Sequence, residues 1–221
     1  MYDSPVEVRV WSLKEAPYAC FTRPEMKVER VSYPVMTPSA ARGALEMIFW
    51  KPQFTWRVEE IVVLNPIRYF SILRNEVNSR ASERSARGWE KNGGGSVASD
   101  DRAQRNTLAL RDVAYIIRAN VALKPGVDDD PAKFRHQFRR RVARGQCFAQ
   151  PYLGCREFTA AFGPVDADET PQSGSMELGR MLYDLAFTSG GSGKATPRFF
   201  NAVLEDGVMK VPAWEEVMDV A

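Results

Sequence analysis

The 221-residue chain has few of the residues on which most metal and redox sites depend, with one histidine and three cysteines. A mechanism that needs two histidines is therefore excluded, and the common histidine-rich metal sites are excluded with it. Cys20, Cys147 and Cys155 form no CxxC pair, so neither a disulfide framework nor a cysteine zinc site is expected. This sparse use of cysteine indicates a reducing, cytoplasmic compartment.

Long apolar runs and nucleotide-binding motifs are also missing. No apolar run approaches the ~18 residues of a membrane span, and residues 1–5 lack the character of a secretory signal, so no membrane association is expected. The P-loop, the serine-hydrolase elbow and the dinucleotide fingerprint are absent. Residues 128–130 are acidic, but three consecutive side chains do not converge on one ion. We expect neither a metal nor another cofactor.

The composition is that of an ordinary globular protein, with 44% hydrophobic and 26% charged residues and a net charge of +2. Alternating apolar residues predict strands over 6–13 and 54–64, the second extended by residues 67–73, and a longer strand over 107–123. Thr37 and Pro38 predict the start of one helix, which Pro52 ends, and residues 131–144 predict a second helix ended by Gly145. A further strand is expected within 147–162.

This order of elements is the split βαβ pattern of ferredoxin-like folds, so we predict an α+β protein. A polar stretch at 163–175 divides the chain into a domain of residues 1–164 and a smaller part, 165–221, in which we expect short strands. Residues 74–106 are rich in Arg, Ser, Asn and Gly, which predicts a mobile loop. That loop is either a solvated connection or an arm that reaches phosphates.

The second helix has the most informative pattern of charge. Its buried stripe repeats every four residues, whereas Lys133, His136, Arg140 and Arg144 share another face. Between residues 133 and 146 there is no acid, and there are six cations: Lys133, Arg135, Arg139, Arg140, Arg141 and Arg144. Such density favours a polyphosphate ligand and a salt-sensitive interaction, although a solvated basic face is the alternative.

The same face offers a proton-transfer group. His136 has an ordinary pKa near neutrality and is a candidate general acid or base, and Lys133 is placed to stabilise charge on a phosphorane. A single histidine is also a common incidental surface residue, so both interpretations stay open.

Two weaker signals point to RNA as well. Gly191, Gly193 and Lys194 lie in a glycine-rich segment whose backbone N–H groups can approach phosphate, or which is a plain turn. Phe49, Trp50 and Lys51 combine aromatic rings with a cation, as RNA sites do, although Phe49 is also a candidate for core packing.

Several longer motifs resemble a known family. They are residues 35–43 (VMTPSAARG) with 48–52 (IFWKP), residues 139–148 (RRRVARGQCF) and residues 151–158 (PYLGCREF). These segments resemble the CRISPR-associated Cas five family, in the "d" branch of subtype I-C, and the resemblance extends over essentially the whole chain.

The resemblance implies a ferredoxin-like, RNA-recognition-motif-like N-terminal domain with a small β-rich C-terminal domain. It also implies an endoribonuclease that cuts the repeat hairpin of precursor CRISPR RNA without a metal, by attack of a 2′-hydroxyl, and retains the 5′ handle. The family assigns this chemistry to a tyrosine at the end of the first helix and a Lys-His pair in the second. Lys133 matches the lysine, but Phe49 and Phe134 stand at the other two positions. We expect His136, one turn after Lys133, to compensate.

The expected partners are the RNA hairpin and the backbone and large subunits of the type I-C interference complex. The expected RNA-binding residues, besides the glycine-rich segment, are Arg42, Lys51, Arg139, Arg140, Arg141 and Arg144. Two alternatives remain. One is a non-catalytic subunit that binds the CRISPR RNA handle, and the other is a nucleic-acid-binding protein of broader specificity that also binds duplex DNA.

Overall fold

The computed structural model describes residues 4–26, 28–187 and 195–218. Within these ranges the elements follow one another in this order: β1 (Val6–Ser12), β2 (Tyr18–Ala19), β3 (Arg30–Val31), α1 (Pro38–Ile48), β4 (Phe54–Val63), β5 (Tyr69–Val77), α2 (Glu83–Asn92), β6 (Arg102–Arg111), β7 (Ala114–Leu123), α3 (Pro131–Ala143), β8 (Ala160–Gly163), β9 (Met176–Phe187), β10 (Ala195–Leu204), β11 (Val208–Lys210) and α4 (Trp214–Met218). The predicted α+β class is confirmed. None of the helices in these ranges has the length and apolar character to span a membrane.

The central sheet has the strand order β11-β4-β7-β1-β8, and every neighbouring pair is antiparallel. Val6, Val8 and Val10 of β1 are fully buried, as the apolar alternation in the sequence predicts. Between them, Glu7 points outward and accepts a hydrogen bond from Arg118 of β7. The sheet therefore has a buried side, on which α1 and α3 pack against the strands and against each other.

Both helices begin where the sequence predicts. The Thr37 side chain accepts a hydrogen bond from the backbone N–H of Ala40, with Pro38 in the first turn. Asp130 accepts from the N–H of Ala132 at 2.8 Å and caps α3, which also has a proline in its first turn. These caps satisfy N–H groups that have no partner within the helix.

The predicted loop over 74–106 is wrong. β5 and β6 pair along nine residues, from Tyr69 opposite Leu110 to Val77 opposite Arg102, and α2 lies between them. No residue of α2 is buried, and Ser82 caps the helix. The low apolar content of this segment predicted disorder, because a segment with few apolar residues can bury little surface in a core. Here main-chain hydrogen bonds between neighbouring strands order the segment instead.

Two predicted strands also have different limits. Residues 107–123 are split by a turn at Asp112, which has φ +56°, into β6 and β7, and these strands belong to different sheets. Within 147–162 only the end is a strand, because Pro151 and Gly154 (φ +83°) belong to a turn. Apolar periodicity continues through both turns and does not reveal either of them.

The C-terminal part contains longer strands than predicted. β9 has 12 residues and β10 has 10, and the two form an antiparallel ribbon. β11 then returns to pair with β4 at the edge of the central sheet. The division into two domains at residue 164 stays a prediction. The last strand of the chain, β11, follows this boundary and belongs to the central sheet.

Candidate functional site

The solvent side of α3 carries four side chains that we call the α3 basic face: Lys133, His136, Arg140 and Arg144. All four are exposed, whereas Phe134, Phe138 and Val142 are buried on the opposite side of the same helix. The i, i+3, i+7, i+11 spacing thus places an imidazole one turn from an ammonium group, and both side chains are exposed. This arrangement suits a phosphate chain that runs along the helix.

Lys133 has a resting partner. Its ammonium group forms an ion pair with Asp129, and it lies 4.8 Å from the centre of the Phe134 ring. The lysine side chain is 53% exposed, so solvent screens the pair and its contribution is small. An anionic non-bridging oxygen of an RNA phosphate can therefore compete with Asp129 for the ammonium group.

Phe49 and Phe134 lie in one buried aromatic cluster. Both rings contact Phe54, at centroid distances of 5.8 Å and 4.9 Å. Phe54 in turn packs edge-on against Trp56, which packs against Phe138. Neither phenylalanine can transfer a proton. The two positions that the family resemblance associates with chemistry are here part of the core beneath α3.

Two of the arginines of α3 bind backbone carbonyls. Arg139 donates to the carbonyl oxygens of Ser4, at 2.9 Å, and Pro5, at 3.2 Å. Arg141 donates to the carbonyl of Ile48 at 2.9 Å, and its guanidinium lies 5.1 Å from the Phe49 ring centre. These contacts attach α3 to the N-terminal segment and to the end of α1. RNA binding by Arg139 and Arg141 stays a prediction.

Arg140 and Arg144 differ from their neighbours. In the part of the chain that the structure describes, neither side chain forms a hydrogen bond or an ion pair. Their charges face water and have no counter-ion among the described residues, which makes these two arginines the most available to phosphate in this part of the chain. Arg135, by contrast, is buried.

Arg42 is engaged by two carboxylates. It donates to both oxygens of Asp184, at 2.7 Å and 2.9 Å, and to Glu46 at 2.7 Å. Burial acts to lower the pKa of Arg42, but these hydrogen bonds and charges outweigh it and raise the pKa further. The guanidinium thereby joins α1 to β9, and its predicted contact with RNA stays a prediction.

Lys51 lies just beyond α1 and is exposed, beside Trp50, whose side chain is half exposed. Nearby, the backbone N–H of Phe148 donates to the carbonyl of Met47, and the Phe148 ring projects into solvent. An exposed cation and two exposed aromatic rings thus lie at the end of α1, as the sequence suggests for an RNA contact. The predicted contacts by Gly191, Gly193 and Lys194 lie outside the described residues.

The segment of residues 151–158, which we call the signature turn, has a structural role that sequence reasoning missed. Gly154 has φ +83°, and a Cβ atom there would lie 2.0 Å from the carbonyl oxygen of Cys20. Leu153 on one side of it is fully buried and accepts a hydrogen bond from the N–H of Cys20 at 3.0 Å. The sequence signal was the glycine itself, because only glycine permits this close approach.

The one carboxylate of the signature turn, Glu157, has two cationic partners. Glu157 accepts from Arg30 at 3.0 Å and also from Arg74 of β5. Partial burial acts to raise the pKa of Glu157, but a backbone N–H donor and the two guanidinium groups together hold it below its usual value. One carboxylate therefore connects the turn to two other elements of the fold.

Cys155 of the signature turn lies against Cys20. A hydrogen bond from the Cys20 thiol lowers the pKa of Cys155 to about 6, against the opposing effect of burial. The same hydrogen bond, together with burial, raises the pKa of Cys20. Thr22 bridges the pair, with its hydroxyl 3.8 Å from each sulfur.

Comparison with known proteins identifies the family. The family model described as CRISPR-associated protein (Cas_Cas5), of the Cas5d type, matches residues 11–220. A relative from Mannheimia succiniciproducens, named CRISPR pre-crRNA endoribonuclease Cas5d, is 45% identical across 96% of this chain and 97% of its own. A relative of the same name from Thermus thermophilus is 44% identical across 94% of this chain and 91% of its own.

Two solved structures share the fold. The crystal structure of a CRISPR-associated protein superposes with a TM-score of 0.68 at 22% identity, covering 98% of this chain and 95% of the other. A functionally uncharacterized protein from Streptococcus mutans superposes with a TM-score of 0.66 at 20% identity, covering 96% and 94%. With the family model and the two relatives spanning nearly all of its length, this chain belongs to the Cas5d family.

Proposed function

We propose that this chain is an endoribonuclease that cuts the repeat hairpin of precursor CRISPR RNA. The observation that carries the proposal is that a relative 45% identical over nearly the whole chain is named as a pre-crRNA endoribonuclease. The α3 basic face supplies a site of suitable chemistry, with Lys133 and His136 exposed one turn apart. Exposed guanidinium groups along the same face suit a sugar–phosphate chain.

The first domain of this enzyme has a ferredoxin-like, RNA-recognition-motif-like plan. The order β8-β1-β7-β4, with all neighbours antiparallel, supports this assignment. So does the position of α1 between β1 and β4 in the chain, and of α3 between β7 and β8. A small β-rich domain follows, and its last strand joins the same sheet.

Cleavage proceeds by attack of a ribose 2′-oxygen on the adjacent phosphorus. The O2′–P bond forms, the P–O5′ bond breaks, and the proton of the 2′-hydroxyl passes through His136 to the departing 5′-oxygen. Lys133 turns from Asp129 towards the phosphorane and stabilises its extra negative charge. The products are a cyclic phosphate and a 5′-hydroxyl, and neither a metal nor water enters the balance.

The enzyme acts in the cytoplasm and keeps the 5′ handle of its product as a subunit of the type I-C interference complex, beside the backbone and large subunits. Stem recognition uses backbone contacts, and the single-stranded flanks are read base by base.

A second candidate function is a non-catalytic subunit that only binds the CRISPR RNA handle. The observation that favours it is the burial of phenylalanine rings at positions 49 and 134, where the family resemblance implies proton-transfer groups. Binding of duplex DNA by the same cations is a further outcome that the experiments below separate.

The test uses purified protein and labelled repeat RNA in the presence of a chelator. We expect one cut, a rate reduced about 10²–10⁴-fold by His136→Ala, and binding that survives the change. Lys14→Ala is the matched control, because Lys14 is an exposed cation outside α3. A 2′-deoxy sugar at the cut position should abolish cleavage.

Each other outcome has a definite meaning. Full activity of His136→Ala overturns the assignment of His136, and continued cutting at a 2′-deoxy sugar overturns the nucleophile. Tight binding with no cut at any pH supports the non-catalytic subunit. Equal affinity for unrelated duplex DNA at physiological salt supports the broader nucleic-acid binder.

A further inference from the structure

A second basic surface, distant in sequence from α3, lies in the C-terminal part of the molecule. An open cavity of about 780 Å³, which we call the C-terminal groove, lies between β10, β11 and α4. Its walls carry Arg180, Arg198 and Lys210 together with the rings of Phe199 and Phe200. Nothing in the sequence motifs pointed to this combination, because its residues come from three separate strands.

The cations of the C-terminal groove have no counter-ion in the described protein. Arg180, Arg198 and Lys210 take part in none of the ion pairs between described residues. One acid, Glu216, lies among the described lining residues, and it pairs with none of the three. Three like charges around one cavity repel each other, so an anionic ligand is the favourable occupant.

The rings of the groove provide the second recognition element. The Arg180 guanidinium lies 4.5 Å from the centre of the Phe199 ring, and Phe199 is partly exposed. The guanidinium lies over one face of the ring, and a ring stacked with a guanidinium group is a surface on which unpaired nucleobases stack. A plain phosphate site would not need the ring, and an acidic peptide would leave it without a stacking partner.

The groove is also rigidly connected to the rest of the fold. Phe200 packs edge-on against Tyr183 at 5.9 Å, and the Tyr183 hydroxyl donates to the carbonyl of Pro212 at 3.1 Å. Met209 of β11, beside Lys210, is fully buried and pairs with β4. These contacts fix β10 and β11 to the rest of the fold, and the cavity between them and α4 is open.

We propose that the C-terminal groove binds the single-stranded RNA that flanks the repeat hairpin. Arg180, Arg198 and Lys210 contact successive phosphates, and one base stacks on Phe199. The inference rests on the proposed function and deepens it, because it assigns the flank to a surface separate from the α3 basic face, which holds the scissile phosphate. A volume of about 780 Å³ suits two nucleosides with the three phosphates that join and flank them, and not a duplex.

The experiment compares two RNAs: the repeat hairpin with its single-stranded flanks, and the same hairpin trimmed to the stem-loop. The triple variant R180Q/R198Q/K210Q should bind the flanked RNA roughly 10- to 100-fold more weakly and the trimmed RNA unchanged. Its slope of log affinity against log salt should fall by about 2, since each single-strand phosphate contributes about 0.7. The matched control K14Q/R68Q/R156Q removes the same charge from exposed cations elsewhere and should leave both affinities near wild type.

Two single variants protect the test against a folding defect. Lys210 is exposed, so K210Q should melt as wild type does and still lose several-fold affinity for the flanked RNA alone. F199L keeps an apolar side chain without an aromatic face and should lose about 5-fold or more, again only with the flank.

The outcomes separate the two proposals. The groove assignment is overturned if the triple variant binds the flanked RNA as the wild type does, or if it loses equal affinity for both RNAs. In either case, cleavage by the wild type still supports the proposed function. If the groove instead binds an acidic protein segment, the triple variant binds the flanked RNA as the wild type does. Failure of the wild-type chain to bind or cut either RNA overturns the proposed function.

Discussion

The α3 basic face and the signature turn both lie in or beside segments that resemble the family, but the charged groups at these two places differ in whether they have partners. In the signature turn, Arg30 and Arg74 from elsewhere in the chain converge on Glu157. On α3, Arg140 and Arg144 have no partner in the described protein. Paired and unpaired charges therefore occur close together in the segments that resemble the family, and the presence or absence of a counter-ion among the described residues distinguishes them.

The largest expected effect tests the architectural side of this comparison. Gly154→Ala forces a Cβ atom against the Cys20 carbonyl, so the turn must move, and we expect a loss of about 3 kcal/mol or more in the free energy of unfolding. Gly145→Ala is the control, because Gly145 also has positive φ but open space around it, and should cost about 1 kcal/mol. Urea denaturation measures both, and equal losses would show that the close approach is unimportant.

The next effect concerns the aromatic cluster beneath α3. Phe134→His places the family's residue type within the ring contacts of Phe54, where burial disfavours the imidazolium. We expect a loss of about 1–3 kcal/mol that grows as the pH falls below the ordinary histidine pKa, because the unfolded chain then binds the extra proton. Phe134→Leu is the control and should show no such pH dependence. A stability unchanged between pH 8 and pH 5 would contradict the packing described here.

A smaller loss of stability is expected when Glu157, the carboxylate shared by two arginines, is replaced. Glu157→Gln removes the shared partner of Arg30 and Arg74, and we expect a loss of about 1 kcal/mol at pH 7 after allowance for solvent screening. The pKa of Glu157 is lowered in the folded state, so its stabilisation is present above the unfolded-state pKa and disappears as the pH falls through the folded-state pKa. The two proteins should therefore converge in acid. A constant difference between pH 7 and acid would refute the ionic origin.

The smallest change in stability belongs to the unpaired side of the comparison. Arg140→Gln and Arg144→Gln should leave thermal unfolding unchanged, since neither side chain has a partner among the described residues. Each should lower the slope of log affinity against log salt for repeat RNA by about 1. Arg30→Gln is the contrasting variant, with altered stability and an unaltered slope. The reverse pattern would mean that counter-ions do not distinguish structural from RNA-binding arginines in this protein.

Sequence reasoning found the elements whose causes are local. The caps at Thr37 and Asp130, the prolines after them and the four-residue repeat of Phe134, Phe138 and Val142 each act within one or two helical turns. It missed residues 74–77 of β5, residues 102–106 of β6 and the pairing of the two strands, because main-chain pairing between strands about 35 residues apart leaves little trace in composition. The candidate site was found only in part, since nothing local shows which cations have acidic partners.

Helix limits, the buried stripe of α3 and the alignment of Lys133 with His136 follow from residue order alone, because they depend on backbone geometry repeated over a few residues. Residue order alone does not show which charged side chains have partners. Arg42 meets Asp184 across 142 positions, Arg74 meets Glu157 across 83, and the cations of the C-terminal groove come together from β9, β10 and β11. These contacts depend on how the strands pair and stack. The tertiary structure therefore decides whether a charged side chain is paired within the protein or exposed without a partner.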